Sequence, residues 1–157
     1  MKIFHTCLVA LAALANLVVS QGATNGADLF HHAARDIGGF YCKVPSKLSD
    51  KEYGAKEGTI NKGIKYLRKL DGECHLTDSD KPSRISCSNN GGIWIITKGK
   101  GKGKNVPWSV IADHAQHLVD HCSKLFNKVY WVVGTTEDKD GWFQVIVGDT
   151  YMYGQIC

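Results

Sequence analysis

Residues Trp108–Phe126, WSVIADHAQHLVDHCSKLF, and residues Gly141–Asp149, GWFQVIVGD, decide the fold class between them. In the first, Ile111, Ala115, Leu118 and Cys122 recur at the spacing that lines one side of a helix, and Pro107 sits where a helix can begin. In the second, Phe143, Val145 and Val147 alternate with Trp142, Gln144 and Ile146, which is the period of a strand with two distinct faces. A strong helix beside a strong strand predicts an α+β chain.

The segments on either side extend this pattern. Lys128–Thr135, KVYWVVGT, is a second run of high strand preference, and TEDKDG (Thr136–Gly141), with its Asp-Gly turn signal, joins it to GWFQVIVGD as an expected hairpin. In ISCSNNGGIWIIT (Ile85–Thr97), NNGG is a turn and Ile93–Thr97 a β-branched and aromatic strand. TINKGIKYLRKLDG (Thr59–Gly72) is a first helix: Thr59 caps it, Ile60, Ile64 and Leu67 form its apolar face, and Gly72 follows its end. DGECHLTDSDKPSR, rich in turn residues and holding Pro82, is expected as a loop. In GGFYCKV, Phe40, Cys42 and Val44 alternate with Tyr41 and Lys43 as a short strand. The order predicts an antiparallel sheet with two helices packed on one face, as a disulfide-stapled sandwich.

The 157-residue chain divides into residues 1–20, 21–38 and 39–157. Lys2, the apolar run Leu8–Val19 and the small residues around Ser20 have the layout of a secretory signal, and the run is too short for a membrane span. Residues 21–38 read as a flexible leader and 39–157 as a single domain, with no transmembrane segment. The net charge of +4 is mild, and a nucleic-acid binder shows a stronger clustered excess, so no specific nucleic-acid partner is expected. Cys7 lies in the signal. Cys42, Cys74, Cys87, Cys122 and Cys157 then meet an oxidising compartment, where at most two bridges form and one thiol is left over. Spacing alone does not choose among the pairings, and the gaps fit no zinc ribbon.

Few motifs carry chemistry. His114, His117 and His121 lie at spacings of three and four on the second helix, flanked by Asp113 and Asp120. His117 and His121 could share a metal, but HExxH is absent and no third anchor is evident. They read as half-exposed residues bordering a buried face, with His31 and His32 only opportunistic metal donors, and no cofactor is expected. An acid–base site could draw on His75, His117, Glu73, Asp113 and Arg84, though no spacing ties them together. No Gly-x-Ser-x-Gly occurs. The remaining feature is IITKGKGKGKNVPW (Ile95–Trp108), where Lys98, Lys100, Lys102 and Lys104 alternate with glycines. It fails both the P-loop and the dinucleotide fingerprints. These lysines are the candidate binding residues, on a loop expected to be mobile and able to meet an anionic surface.

The stretch GIKYLRKLDGEC, then SRISCSNNGGIWIIT, VIADHAQHLVDHCSK and DKDGWFQVIVGD, resembles small secreted cysteine-rich proteins of filamentous fungi, over about Gly63 to Asp149. A fainter likeness extends to the killer toxins of smut fungi, whose helix HAQHLVDHC resembles. The resemblance implies a secreted, extracellular, effector-like or toxin-like binding protein that acts without catalysis on a host or competitor target, in a virulence or host-interaction role. Its partner would be a protein or an anionic surface, and later entry into host cells stays open. The alternative is a small secreted ribonuclease-like hydrolase using His117 and a nearby carboxylate. That group carries cysteines where this chain has Ile96 and Trp108. The comparison implies Cys87–Cys122 and Cys42–Cys157 as bridges, Cys74 as the odd thiol, and the lysine loop as an exposed, flexible insertion in place of a staple.

Overall fold

The computed structural model describes residues 37–43, 54–77, 80–153 and 157. The expected signal segment, nearly all of the leader and Val44 therefore lie outside the described residues. The elements are β1 (Ile37–Cys42), β2 (Ala55–Lys56), α1 (Glu57–Leu67), β3 (Glu73–His75), β4 (Ser83–Ser88), β5 (Gly91–Thr97), β6 (Asn105–Pro107), α2 (Trp108–Cys122), β7 (Lys124–Phe126), β8 (Val129–Val132), β9 (Gly134–Asp138) and β10 (Phe143–Asp149). They build a five-stranded sheet in the order β1-β9-β10-β5-β4, a three-stranded sheet β2-β8-β7 and a two-stranded sheet β3-β6. Every pairing is antiparallel.

The alternation in β10 becomes two faces. Val145 and Val147 lie opposite Ile95 and Ile93 of β5, and this face is buried under both helices. Ile60, Ile64 and Leu67 of α1 and Ile111, Ala115, Leu118 and Cys122 of α2 join the same core. Each isoleucine or leucine among them contributes roughly 1.5–3 kcal/mol by leaving water. On the reverse face, Trp94 pairs with Ile146. Both are buried, and the Trp94 ring meets Tyr153, in the 3-10 turn Thr150–Tyr153, at 5.3 Å. The architecture is the expected α+β sandwich: an antiparallel sheet, two helices and two disulfides.

Gly63 costs α1 about 1 kcal/mol in helix propensity, and packing explains its place. A Cβ there would lie 2.7 Å from Ser86 Oγ and 3.0 Å from Ile93 Cδ1, so α1 rests on β4 only because this position is bare. The helix begins at Glu57, two residues before the expected cap Thr59, and its N-cap Lys56 makes no side-chain cap bond. A negative Glu57 in the first turn complements the helix dipole instead.

Four local readings change. β1 already starts at Ile37, so Ile37 and Gly38 belong to the sheet rather than to the leader. The segment read as a loop after Asp71 contains β3, which pairs with β6 through Glu73–Pro107, Cys74–Val106 and His75–Asn105. Lys124–Phe126, read as the end of the helix, is instead β7. Asn127 and Lys128, at φ 47° and 63°, turn it back into β8. The last hairpin is β9 with β10, while Val129–Val132 crosses to the smaller sheet. Lys128 has no glycine-like freedom there, and its left-handed backbone costs about 1 kcal/mol.

The bridges are Cys42–Cys122 and Cys87–Cys157. The pairing therefore differs from the expected Cys87–Cys122 and Cys42–Cys157, and the sheet faces explain why. Cys42 pairs with Gly134, and a Cβ on Gly134 would meet Cys122 Sγ at 3.1 Å, so Cys42 sits beneath the end of α2. Ser86 is opposite the core residue Ile93, which turns Cys87 to the reverse face. There the chain leaving β10 passes, with the Thr150 amide donating to the Asn90 carbonyl at 2.8 Å. Cys74 is free and buried, and burial raises its thiol pKa.

Two measurements check this arrangement. Non-reducing peptide mapping is expected to link Cys42 with Cys122 and Cys87 with Cys157, with Cys74 alkylated only after denaturation. Because the Cys42–Cys122 bridge spans 80 residues, Cys42→Ala with Cys122→Ala is expected to lower urea-unfolding stability by about 2–4 kcal/mol.

Candidate functional site

Where β5 ends, the lysine loop begins, and its backbone is tied to two neighbouring segments. The Lys98 amide donates to the Trp142 carbonyl at 2.7 Å, which carries the β5–β10 ladder one step beyond Thr97. A 3-10 turn spans Gly99–Gly101, closed by the Gly101 amide on the Lys98 carbonyl at 2.7 Å and followed by the Lys104 amide on the Gly101 carbonyl at 2.9 Å. Leu76 holds the far side, since its carbonyl accepts from Gly103 at 2.9 Å and its amide donates to Lys104 at 2.8 Å. The loop is thus hydrogen-bonded into the fold, a correction to the expectation of a flexible insertion. Lys100, Lys102 and Lys104 are exposed and Lys98 is half-buried.

Two glycines explain how this compact path is possible. Gly101 is buried, and a Cβ there would overlap the Trp142 carbonyl. Gly103 takes φ +72°, a conformation that side chains disfavour. Trp142 was not singled out from the sequence, yet it organises the site. Its carbonyl anchors Lys98, and Lys104 Nζ lies 5.1 Å from its ring centroid, a cation–π distance. The tryptophan is held in turn by Asp138. That buried carboxylate accepts from the amides of Asp140 at 3.1 Å and Trp142 at 3.2 Å. The Asp140-Gly141 signal in the sequence marks this turn, though not its link to the lysines. Beside it, Asn105, Pro107, Asp138, Asp140 and Trp142 border a cleft of about 160 Å³. The arrangement sets one cation, Lys104, over an aromatic plane, beside exposed Lys100 and Lys102.

The helical histidines separate into different environments. His114, expected at the border of the core, is fully buried, with Nδ1 2.9 Å from Thr136 Oγ1 and its ring 5.0 Å from Phe143. His117 lies beneath Phe40 of β1 at 4.7 Å and stacks on His121 at 4.0 Å. His121 Nδ1 donates to the His117 carbonyl at 2.9 Å, which leaves its Nε2 as the basic nitrogen when the ring is neutral. The two rings lie nearly face to face, 28° apart, rather than converging on one point. Among the described residues no group of three or more histidine, cysteine or acidic side chains is placed to hold a metal ion.

Two of the acid–base candidates, Asp113 and His75, have side-chain partners of their own. Asp113 takes an ion pair from Arg68 at 2.8 Å, and His75 Nδ1 lies 2.8 Å from Asn105 Oδ1. Asp120 accepts from Gln116 at 2.8 Å. Glu73 is on β3 and Arg84 on β4, opposite Trp94.

Burial pushes the His117 pKa below its ordinary value of 6.5, the neighbouring His121 lowers it further, and Asp120 opposes both. Its Nε2 is sealed from solvent without a hydrogen-bond partner. The native state therefore takes up the proton less readily than the unfolded chain. The stability this contributes is present above pH 6.5 and is lost as the pH falls below it. Urea midpoints measured across pH 5–7 are expected to fall on the acid side, and to fall less in His117→Gln. For the loop, Gly101→Ala is expected to cost about 1–3 kcal/mol through overpacking, read by thermal unfolding. Gly99→Ala, with nothing within 4 Å of its added carbon, should be close to neutral. Comparison with protein families, with curated proteins and with solved structures gives no match for this chain.

Proposed function

We propose that this is a secreted, effector-like or toxin-like protein that acts by binding, without catalysis, on a host or competitor target, and that the lysine loop makes the contact with a protein or surface of negative charge. The observation that carries the reading is the order of that loop. Five backbone hydrogen bonds run through Lys98, Gly101, Gly103, Lys104 and their partners Trp142 and Leu76, so most of the backbone entropy of ordering is already spent before a target arrives. Four lysines alternate with glycines along the loop, and three of them are exposed. The resemblance to small fungal secreted proteins supports the same reading.

The compartment follows by the same reasoning. Two disulfides suit an oxidising environment. Among the described residues no helix is long and apolar enough to cross a membrane. Secretion then rests on the signal-like segment Met1–Ser20.

The test replaces Lys98, Lys100, Lys102 and Lys104 together by serine. Stability is expected to change by no more than about 1 kcal/mol, since three of the four are exposed. Retention on an immobilised polyanion, and activity in a host-tissue or competitor-growth assay, are expected to drop. Wild-type retention should also weaken as salt rises above about 0.15 M, where charges are screened beyond roughly 8 Å. Unchanged activity in the quadruple variant would remove the loop from the proposal. Turnover of RNA or cell-wall glycan that His117→Ala abolishes would replace binding with hydrolysis.

A further inference from the structure

The five-stranded sheet ends at β4, which pairs with β5 on one side only. Ser88 and Gly91 flank the two-residue turn Asn89–Asn90 as partners, and Ser86 pairs with Ile93. The pair that closes a two-residue turn is hydrogen-bonded, and bonded and non-bonded pairs alternate along an antiparallel ladder. The amide and carbonyl of Cys87 therefore point away from β5. Among the described residues no backbone group outside the sheet meets them. A register shift between Arg84 and Ser86 interrupts the strand further back, so the regular open edge is Ser86–Ser88.

Helix α1 roofs this edge. Its bare Gly63 rests on Ser86, and Lys62 and Tyr66, one turn apart, border a groove of about 350 Å³ together with Ile85, Ser86 and Ser88. Lys62 is exposed and Tyr66 is 53% exposed. Among the described residues that line the groove, Lys62 is the one with a charge. Glu57, the acid of α1, accepts from the Asn61 side chain. Both lie on the helical stripe of Arg68, whose ion pair with Asp113 marks it as the side toward α2. No acidic residue occurs between Asp80 and Asp113, a span that contains all of β4 and β5.

This geometry selects the occupant. An outward amide and carbonyl on an extended strand match another extended backbone, and alternation then puts every second side chain of that segment under the roof. A second copy does not fit. Antiparallel pairing of two β4 edges through Cys87 keeps both helix layers on one face and brings the two α1 helices, each over its own Ser86, to about the strand spacing of 4.8 Å, whereas packed helices need about 8–10 Å. A strand with no helix above it meets no such conflict, and a roof with a lysine and no carboxylate favours an acidic side chain beneath it. We propose that the edge of β4 takes an extended acidic segment of a partner protein as a further strand, bonded in both directions at Cys87, with a glutamate or aspartate under Lys62 and beside Tyr66. The inference does not rest on the reading given to the lysine loop.

NMR titration of the isotope-labelled protein tests it, with the capped peptide Thr-Glu-Val-Glu-Val-Thr as the probe. Amide shifts are expected at Ser86–Ser88, Lys62 and Tyr66, saturating with a Kd below about 1 mM. Replacing both glutamates by lysine should weaken binding about threefold. Methylating the two valine nitrogens, which removes the donors that face Cys87 when the glutamates lie under the roof, should weaken it about tenfold or more. Lys62→Glu should reverse the preference between the glutamate and lysine peptides, and the serine quadruple variant of the lysine loop should bind like the wild type. The peptide comparisons on the wild type need no variant to fold. Any of four results would overturn the proposal: no shifts with the glutamate peptide, shifts confined to the lysine loop, equal binding of the methylated peptide, or an unreversed preference in folded Lys62→Glu.

Discussion

Seven consecutive residue pairs join β5 to β10, from Gly91–Asp149 to Thr97–Phe143, and both ends of this ladder are put to use. Its middle aligns Ile93 with Val147 and Ile95 with Val145, the apolar surface on which α1 and α2 rest. A slip of one residue would turn that surface away from the helices. One end delivers the chain to the Thr150–Tyr153 turn that covers Trp94 and leads to Cys157. The other end extends by one further bond, Lys98 to Trp142, and so sets where the lysine loop leaves the sheet. The two disulfides divide their work by face. Cys42–Cys122 ties edge strand β1 to the helix layer, and Cys87–Cys157 ties edge strand β4 to the chain end on the other side.

Periodicity made much of this legible. The stripe Ile111, Ala115, Leu118 and Cys122 and the alternation Phe143, Val145 and Val147 are both buried as their spacing requires. NNGG forms the β4–β5 turn, with Asn89 and Asn90 both left-handed. The failures occur where a local signal was overridden by something distant. Asn127-Lys128 lacks glycine, so the β7–β8 turn left little mark, and Leu125 and Phe126 looked like the end of the helical pattern. β3 is three residues long and exists only because β6 arrives to pair with it. The cysteine pairing depends on which side of the sheet Cys42 and Cys87 face, a consequence of register that spacing does not contain.

The site was legible in a similar, partial way. The lysines stand out in the sequence, but the groups that give them shape do not. Trp142 acts through its backbone carbonyl as well as its ring, and Asp138 acts by gathering the amides of Asp140 and Trp142. Backbone carbonyls have no signature in a sequence. His114 was misplaced for a related reason, because the partner that allows an imidazole into the core is Thr136, a residue on β9 well away in the chain.

A segment of alternating lysine and glycine is among the least able to order itself, since each glycine gives up more backbone freedom than any other residue. Fixing one residue costs about 1–2 kcal/mol of backbone entropy, while a hydrogen bond returns a net of about 0.5–1.5 kcal/mol. Bonds within the loop therefore do not suffice, and its order must be drawn from rigid neighbours. Three of the five bonds reach outside it, to Trp142 and Leu76. Leu76 is buried in the core, and Trp142 sits on a turn closed by Asp138. Gly101 is needed for the same reason, because only a bare position lets the backbone pass as close to Trp142 as it does. The spacing of the four lysines is thus a property of the β5–β10 ladder and the Asp138 turn, and a change at either reaches the charges without touching a lysine.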